Sequence, residues 1–384
     1  MKSNLFKIYL ILLGMCPMLS TDLYLPALPS ISKYYGTTDN IANITMVAFT
    51  AALAVASLLW GPISDKYGRK PIVTAGSALY FAGSLLCVFA PSISFMIVFR
   101  VLQAVGGGSV IMIASALIKD VYEEQHQEKV LSLVQGMTLI GPAVAPSLGA
   151  LVLRGSDWHA IFVVMTIMGA VIFGGALLLK ETLRVPLTVK VWLTFTRLWA
   201  VLRNSGFTKV AIVSAIPAFP IMAFISASPY IFQARFGLSG QVFSLFFAAS
   251  AIAMMGGSFS YFSFSRRFGH NVTAYVCFIT ITLSGLFILL VGSNSPWMLI
   301  GLIIPSSFCG SMAKPLGVFL GLKAAGNSDT GSASSLLNFI GLVFASLGIL
   351  ALGLFQDFLA GVGILYLLSG AVAIVFFLGF IRKV

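Results

Sequence analysis

The sequence predicts an all-α membrane protein whose twelve transmembrane helices form two six-helix bundles. Hydrophobic residues make up 59% of the 384 residues and charged residues only 9%, and the mean hydropathy is +1.01. A soluble protein of this size needs far more polar material for its surface. At about 20 residues per membrane-crossing helix, a chain of this length accommodates roughly twelve such helices and no ordinary soluble domain besides.

Twelve apolar segments follow one another along the chain, separated by short polar stretches. Their approximate bounds are 6–30, 41–62, 71–90, 94–118, 130–153, 158–179, 208–231, 240–262, 272–292, 296–320, 331–354 and 358–381. The start of the chain resembles a signal peptide, with Lys2 and Lys7 before an apolar run. Because that run continues past Asp22 to Leu28, we expect an uncleaved first helix.

Lysine and arginine residues indicate the orientation of the chain in the membrane. Of the 23 Lys and Arg residues, 18 fall on one side of the predicted helices, and three (Lys33, Arg154 and Arg235) fall on the other. Cytoplasmic loops carry an excess of these residues, so we expect a multi-pass protein of the bacterial inner membrane with both termini in the cytoplasm. The net charge of +12 then belongs to loops and does not indicate a nucleic-acid partner.

The longest stretch that is not apolar separates six segments from six. It predicts an N-terminal bundle over 1–180, a cytoplasmic linker over 181–207 and a C-terminal bundle over 208–384. Within the linker, cations alternate with apolar residues at a spacing typical of an amphipathic helix on the membrane surface; a solvated linker is the alternative. The apolar residues are Trp192, Phe195, Leu198, Trp199 and Leu202.

A degenerate internal repeat supports the division into two halves. The sequence Tyr-Gly-Arg over 67–69, after the second segment, resembles Phe-Gly-His over 268–270, after the eighth. The halves have diverged, because Arg266 occupies the position that matches Asp65. Two related six-helix halves are typical of transporters in which the halves rock about a central site.

Asp22 and Arg100 are charged residues deep within predicted helices, where each costs several kcal/mol unless it is paired or hydrated. At about 1.5 Å per residue, Asp22 lies about 22 Å from the inner boundary and Arg100 about 9 Å from the outer boundary of a core of roughly 30 Å. The two charges are therefore expected at nearly the same depth. A carboxylate whose protonation depends on nearby charge and water suits proton coupling.

Two structural alternatives remain for Asp22: a static ion pair with Arg100, and simple solvation near the outer mouth. Lys314 also falls within a predicted helix. Its estimated depth is about 26 Å from the outer boundary, close to the cytoplasmic surface. We expect its side chain to extend to the lipid headgroups. A place along the transport pathway is the alternative.

A charged island lies between the second and third segments, where residues 61–70 read G-P-I-S-D-K-Y-G-R-K. Such residues cannot lie in hydrocarbon, so the island is a short cytoplasmic loop. Asp65 is expected to accept hydrogen bonds at the start of another helix, with the eleventh segment from Thr330 as the candidate. Arg69 and Lys70 are expected to anchor at headgroups. A plain tight turn is the alternative.

The fifth segment is rich in residues that permit close helix packing and bending. These residues are Gly136, Gly141, Pro142, Pro146 and Gly149. They suit a flexing contact between the halves, although ordinary helix packing would have a similar composition. Candidate substrate-contacting residues, chosen for their aromatic or polar character within the helices, are Tyr24, Gln103, Phe219, Phe224 and Tyr230.

Several of these stretches together resemble the drug:proton antiporters of the Bcr/CflA type, within the major facilitator superfamily. The resembling stretches are D-L-Y-L-P-A-L-P from Asp22, the island from Gly61 to Pro71, R-V-L-Q-A-V-G from Arg100, the Gly141-Pro142 pair and G-S-A-S-S-L from Gly331. The resemblance implies the major facilitator fold, export of drug-like molecules against proton entry, and Asp22 as the titrating acid. It also implies that Arg100 and Gln103 belong to the fourth-helix motif and that Gly141-Pro142 marks antiporters.

The chain departs from this family at the end of the fourth segment. The family commonly has an arginine, the partner of the loop acid, where this chain has Ser115. Whether Lys119 replaces that arginine is left open by the sequence.

The function expected from these features is proton-coupled export, powered by the proton gradient without a cofactor or metal. We expect a monomer whose partners are small-molecule substrates, protons and the lipid bilayer. A dedicated exporter of a native metabolite or siderophore would use the same motifs. A membrane-embedded enzyme is a remote alternative, because the three histidines, in predicted loops, show no metal-ligand spacing. The four cysteines are interpreted as packing residues.

Overall fold

A computed structural model describes residues 4–183, 191–325 and 330–381 of the protein. Within these ranges, the side chains of residues 124, 125, 128, 132, 139, 191–194, 330, 380 and 381 are not described. Five of the cations assigned to the cytoplasmic side lie outside the described residues: Lys2, Arg184, Lys190, Arg382 and Lys383.

Twelve helices in the described part of the chain are long and apolar enough to cross a membrane. Numbered as spans 1 to 12, they are Asn4–Tyr34, Asp39–Tyr67, Arg69–Val88, Ile93–Val121, Lys129–Val152, His159–Leu178, Ser205–Arg235, Gly240–Phe268, His270–Val291, Pro296–Ala325, Gly331–Leu352 and Phe358–Gly379. The twelve predicted segments are confirmed. Several helices extend beyond their apolar parts, and the helix of span 5 begins at Glu124.

Spans 1 and 7 consist of several helical pieces. The pieces of span 1 are Asn4–Asp22, the 3-10 turn Leu25–Ala27 and Leu28–Tyr34. Those of span 7 are Ser205–Ala215, Ala218–Pro229 and the π-helical turn Tyr230–Arg235. Prolines explain the breaks, because Pro26 and Pro217 lack the backbone N–H that would continue the helical hydrogen bonds. Each interrupted span therefore has backbone carbonyl groups near its break that make no hydrogen bond to a proline nitrogen.

The chain divides into two compact units, Met1–Thr194 and Phe195–Val384, and each contains six spans. The boundary falls inside an additional helix, Val191–Arg203, within the predicted linker. Leu198 and Val201 of this helix are buried, whereas Trp199 is 60% exposed. The expected linker helix is thus present; its place on a membrane surface and the bundle limits given above stay predictions.

The same pairs of spans pack against each other in both units. In the first unit, span 1 packs on spans 4 and 5, span 4 on spans 2 and 3, and span 3 on span 6. In the second unit, span 7 packs on spans 10 and 11, span 10 on spans 8 and 9, and span 9 on span 12. This correspondence confirms the internal repeat that the sequence indicates.

The repeat extends to the tight turn between spans 2 and 3 and between spans 8 and 9. Gly68 and Gly269 have φ angles of 101° and 83°, a left-handed region that favours glycine. Their N–H groups donate to the carbonyls of Ser64 at 3.1 Å and Ser265 at 2.8 Å, which closes spans 2 and 8. Spans 3 and 9 begin at the next residue, Arg69 and His270.

Glycines also allow the backbones of paired spans to approach closely. A Cβ at Gly149 in span 5 would lie 2.3 Å from the Leu23 carbonyl oxygen in span 1. A Cβ at Gly348 in span 11 would lie 1.9 Å from the Phe219 carbonyl oxygen in span 7. By contrast, a Cβ at Gly136 would meet no atom within 4 Å. Gly149 and Gly348 are therefore corresponding close contacts.

Candidate functional site

The charged island is organised around Arg69, the first residue of span 3. Its guanidinium contacts the carboxylate of Asp65 in span 2, and its Nε donates to Oδ2 of Asp120 in span 4 at 3.0 Å. Its Nη1 also donates to the Ser64 hydroxyl at 2.7 Å. The Arg69 side chain is only 10% exposed. These contacts join one end of spans 2, 3 and 4 within the first unit.

Glu181, just after span 6, accepts hydrogen bonds at the start of span 3. Its carboxylate oxygens accept the backbone N–H groups of Arg69 at 2.9 Å and Lys70 at 3.1 Å. Partial burial opposes ionisation, but these two N–H groups, together with those of Thr182 and Leu183, hold the pKa of Glu181 below its ordinary value. A Cβ at Gly68 would lie 2.5 Å from Glu181 Oε2, so a side chain there would displace this carboxylate in addition to straining the backbone.

The structure corrects the expectation for Arg69 in the island and leaves that for Asp65 open. Arg69 is buried among carboxylates and does not reach toward headgroups, because Asp65 and Asp120 neutralise it locally. The acid at the start of span 3 is Glu181, while Asp65 pairs with Arg69 in the described structure. The contact expected between Asp65 and the eleventh helix stays a prediction.

The residues at the end of span 4 also differ from the family pattern in their contacts. Ser115 is exposed. Among the ion pairs of the described residues, none joins Lys119 to Asp65. Lys119 therefore does not replace the missing arginine here, and Arg69 is the cation that pairs with Asp65.

Sequence reasoning missed Asp120 and Glu181 as members of this cluster. Both acids directly follow a predicted apolar segment on the side of the membrane assigned to the island. Their location on the same side of the membrane as the island could have indicated that they lie near it. The sequence spacing gave no means of showing that they converge on Arg69.

Arg100 lies in the interior of the first unit and has no exposed surface. Its Nη1 donates to the Ser20 carbonyl at 3.1 Å and to Gln103 Oε1 at 2.6 Å. The guanidinium carbon also lies 4.1 Å from the ring centre of Phe49 and 4.8 Å from that of Tyr24. Aromatic faces stabilise a desolvated cation in this way, so Arg100 is held by spans 1, 2 and 4 together.

Asp22 is the last residue of the first helical piece of span 1, and only 6% of it is exposed. Oδ1 accepts a hydrogen bond from the Thr21 hydroxyl at 3.3 Å, while Oδ2 has no hydrogen-bond partner in the described part of the chain. No ion pair joins Asp22 to Arg100 among those found in the described residues. The static pair with Arg100, one of the two structural alternatives for Asp22, is therefore absent from the described residues, because Arg100 is directed to the Ser20 carbonyl, Gln103 and the aromatic rings.

Four of the five residues proposed to contact substrate are packed inside their own unit. Tyr24 and Gln103 have no exposed surface, and Phe224 and Tyr230 are 2% and 3% exposed. Tyr24 donates or accepts a hydrogen bond with Thr45 at 2.9 Å, and Gln103 is held by Arg100 and Ser84. A side chain without accessible surface cannot touch a ligand in this conformation. Phe219 alone of the five is partly exposed.

Span 5 positions its small residues against span 1 in the same unit. A Cβ at Gly141 would meet only Met15, at 3.7 Å, so ordinary van der Waals contact would accommodate it. Pro142 and Pro146 lie inside a continuous helix, Glu124–Val152. Gly149 therefore provides the close contact of this motif, and a flexing role for the span stays a prediction.

The described residues contain no group of three or more His, Cys, Asp or Glu side chains that could hold a metal ion. The four cysteines, Cys16, Cys87, Cys277 and Cys309, are free and buried, as expected of packing residues.

Sequence comparison places this arrangement among transporters. Residues 10–349 match the model of the Major Facilitator Superfamily. The chain is 27% identical to the uncharacterized MFS-type transporter YdgK of Bacillus subtilis, over 97% of this chain and 95% of the relative. It is 31% identical to the multidrug resistance protein MdtL of Klebsiella pneumoniae, a match that spans 62% of this chain and 61% of that relative.

Solved structures with the same fold include transporters of unlike substrates. A D-xylose-proton symporter has a TM-score of 0.77 at 15% identity, over 98% of both chains. The nucleoside transporter NupG has a TM-score of 0.76 at 14% identity, again over 98% of both chains. At such identities the likeness concerns the fold alone. With twelve apolar helices in two units and a family match over most of its length, this multi-pass membrane protein belongs to the major facilitator superfamily of transporters.

Proposed function

We propose that this protein exports drug-like small organic molecules across the bacterial inner membrane in exchange for protons, by alternating access. The partial match to MdtL, named a multidrug resistance protein, supports export as the direction and drug-like molecules as the cargo. The excess of Lys and Arg on one side supports an orientation with both termini in the cytoplasm.

Asp22 is the observation that carries proton coupling. A buried carboxylate with one oxygen lacking a partner is costly in its charged form, and no ion pair of the described residues offsets that cost. Its proton can therefore be exchanged when a conformational change alters the water and charge around it. The position strengthens this role, because the helix is interrupted directly after Asp22 and can change locally.

The Arg69 cluster supports the alternating-access part of the proposal. Arg69, Asp65, Asp120 and Glu181 tie together the ends of spans 2, 3 and 4 and the segment after span 6. Such ties favour motion of the first unit as one rigid body. We place this cluster on the cytoplasmic side, where it would help to control the inner mouth.

Everted membrane vesicles provide the test. Vesicles containing the protein, energised by a proton gradient, are expected to accumulate several structurally unrelated fluorescent drugs, and an uncoupler is expected to abolish accumulation. Accumulation that persists without a gradient would contradict proton coupling. Transport of a single metabolite or siderophore, with no drug accumulated, would instead favour the dedicated exporter.

A further inference from the structure

We propose that Lys314 in span 10 binds the anionic group of transported molecules, so that organic anions with an apolar body are among the substrates. This inference rests on the proposed export function and names a substrate class for it. Nothing in the island or around Asp22 uses Lys314, which belongs to the second unit. Its exposure, the helix opposite it and the local charge balance carry the argument.

Lys314 lies in the second half of span 10. Span 10 continues to Ala325, so eleven residues, or about 16 Å of helix, separate Lys314 from that end. The expectation that it reaches the headgroups assumed a helix ending near residue 320. A helix can extend beyond the membrane surface, so that expectation stays a prediction.

The exposure of Lys314 is unusual for its position on the helix. Residues three, four or seven positions away share its face. Five of these six residues are buried: Ser307, Gly310, Ser311, Gly317 and Gly321. The sixth, Val318, is 37% exposed, and Lys314 itself is exposed. The exposed Lys314 therefore lies on a helix face of small and polar residues. The exposed side chains of Trp297 and Phe319 lie on another side of span 10.

That face packs against the interrupted part of span 7. A Cβ at Gly310 would lie 2.5 Å from the side chain of Ile221, and one at Gly317 would lie 2.3 Å from that of Ser214. Lys314 lies between these two glycines, so it is level with the break between Ala215 and Ala218. Discontinuous helices form substrate sites in several transporter folds. Phe219, within one turn of the break, is partly exposed and suits an apolar body.

No acid in the second unit's spans compensates this cation. Residues 195–384 contain two acids, Asp329 and Asp357, and neither lies within a span. Asp357 is already bound to Arg235 Nη1, at 2.6 and 2.7 Å; the position of Asp329 is outside the described residues. No ion pair of the described residues includes Lys314. A lysine within a membrane span that no described acid compensates is a candidate functional residue, and an anionic group is the partner that its charge would bind.

Two xanthene dyes of similar shape and opposite charge test this assignment. In energised everted vesicles, wild-type protein is expected to transport anionic fluorescein and cationic rhodamine 123. Lys314→Gln should raise the KM for fluorescein about tenfold or more, since a hydrogen-bonded charge is lost, and leave the KM for rhodamine 123 unchanged. Lys314→Arg should retain fluorescein transport. Lys323→Gln, which removes a lysine near the end of the same span, is the matched control.

The outcomes separate failure of this inference from failure of the proposed function. Unchanged fluorescein KM in Lys314→Gln, or an equal loss for both dyes, would overturn the anion site while export stands; a lower KM for rhodamine 123 would support it, since a like charge is removed. Transport of rhodamine 123 alone by the wild type would do the same. If vesicles transport neither dye, the proposed function fails, and fluorescence anisotropy with purified protein decides the site. Fluorescein binding to wild type and not to Lys314→Gln supports it; no difference overturns it.

Discussion

At the scale of single residues, Asp22 and Arg100 show two solutions to placing a charge inside a membrane protein. Arg100 is surrounded by aromatic rings and held by a carbonyl and by Gln103. Asp22 has only the Thr21 hydroxyl on one oxygen among its described contacts. The cation is therefore fixed in place, whereas the acid is free to gain or lose a proton as its surroundings change. This difference is the basis for proposing Asp22 as the proton-coupling residue and Arg100 as a positioning residue.

Asp22→Asn is expected to abolish export driven by a proton gradient while retaining substrate binding. Asparagine keeps the size of the side chain but cannot carry an exchangeable proton at this site. Drug accumulation in everted vesicles and drug binding to purified protein measure the two properties separately. Asp157→Asn, which changes a loop acid with a 68% exposed side chain, is the control and should transport normally. Gradient-driven transport by Asp22→Asn at the wild-type rate would exclude Asp22 as the proton carrier.

Glu181 is expected to make stability depend on acidic pH. Backbone N–H groups depress its pKa in the folded protein, so its contribution is present above the ordinary value of 4.5 and is lost as the pH falls through the folded-state pKa. For an exposed carboxylate at a helix start, the contribution is about 0.3–1 kcal/mol. Thermal unfolding in detergent between neutral pH and about pH 3 should show a smaller acid-induced loss in Glu181→Gln than in wild type. An equal loss of thermal stability at acidic pH in both proteins would show that Glu181 contributes nothing measurable at the start of span 3.

At the scale of helices, corresponding glycines keep the interrupted spans in contact with their partners. Gly149 admits the Leu23 carbonyl in the first unit, and Gly348 admits the Phe219 carbonyl in the second. Both carbonyls lie at or near a break in spans 1 and 7. The paired spans therefore approach each other closely where spans 1 and 7 are interrupted. A side chain on either glycine would push the spans apart.

Gly149→Ala and Gly348→Ala are each expected to destabilise the protein by about 1–3 kcal/mol, the usual cost of overpacking an interior. Gly136→Ala in span 5 and Gly341→Ala in span 11 are matched controls, because a Cβ at either position meets nothing within 4 Å. The controls should be neutral or slightly stabilising, since alanine favours a helix. Thermal unfolding of purified variants measures the difference. Equal stability of test and control variants would mean that the spans separate without cost.

At the scale of the whole molecule, the two units repeat one packing scheme but differ in charge. The cluster of Asp65, Arg69, Asp120 and Glu181 belongs to the first unit. In the second unit, Arg266 stands where Asp65 does, and its turn carries His270 in place of Arg69. The two units therefore share one packing scheme, while the proposed control of the inner mouth rests on residues of the first unit.

Asp65→Asn is expected to increase the time during which the cytoplasmic mouth is open. Loss of a surface ion pair or helix contact is worth about 0.3–1 kcal/mol, which changes the ratio of two states by about two- to fivefold. Labelling of cysteines introduced at the cytoplasmic ends of spans 4 and 11 should therefore become faster. The four native cysteines are buried and should contribute little background.

Lys66→Gln is the matched control for that experiment. Lys66 belongs to the same island, and its described contact is with the ring of Tyr67. Its removal should leave the labelling rates unchanged. Slower labelling in Asp65→Asn, or unchanged labelling together with lost transport, would refute the role of the island in closing the mouth.

The sequence by itself determined the fold class, the twelve spans and the two-unit repeat. The polar groups of a backbone in hydrocarbon must bond to one another, as they do in a helix, so each helical crossing leaves an apolar run of about 20 residues in the sequence. The turns after spans 2 and 8 have a left-handed φ, which favours glycine, and the sequence has Gly68 and Gly269 at these positions. Asp22 was likewise visible as a lone acid in an apolar run.

Only the tertiary structure decided which side chains meet. Depth along separate helices suggested that Asp22 and Arg100 pair, yet depth does not fix rotation about the helix axes, and Arg100 turns to Ser20 and Gln103. Glu181 reaches span 3 from more than a hundred residues away, a contact that no local pattern encodes. Lys314 is distinguished by an exposed position on a buried face, opposite a break in span 7. Composition and spacing determine that helices form and cross a membrane, whereas helix rotation and packing determine the chemistry between them.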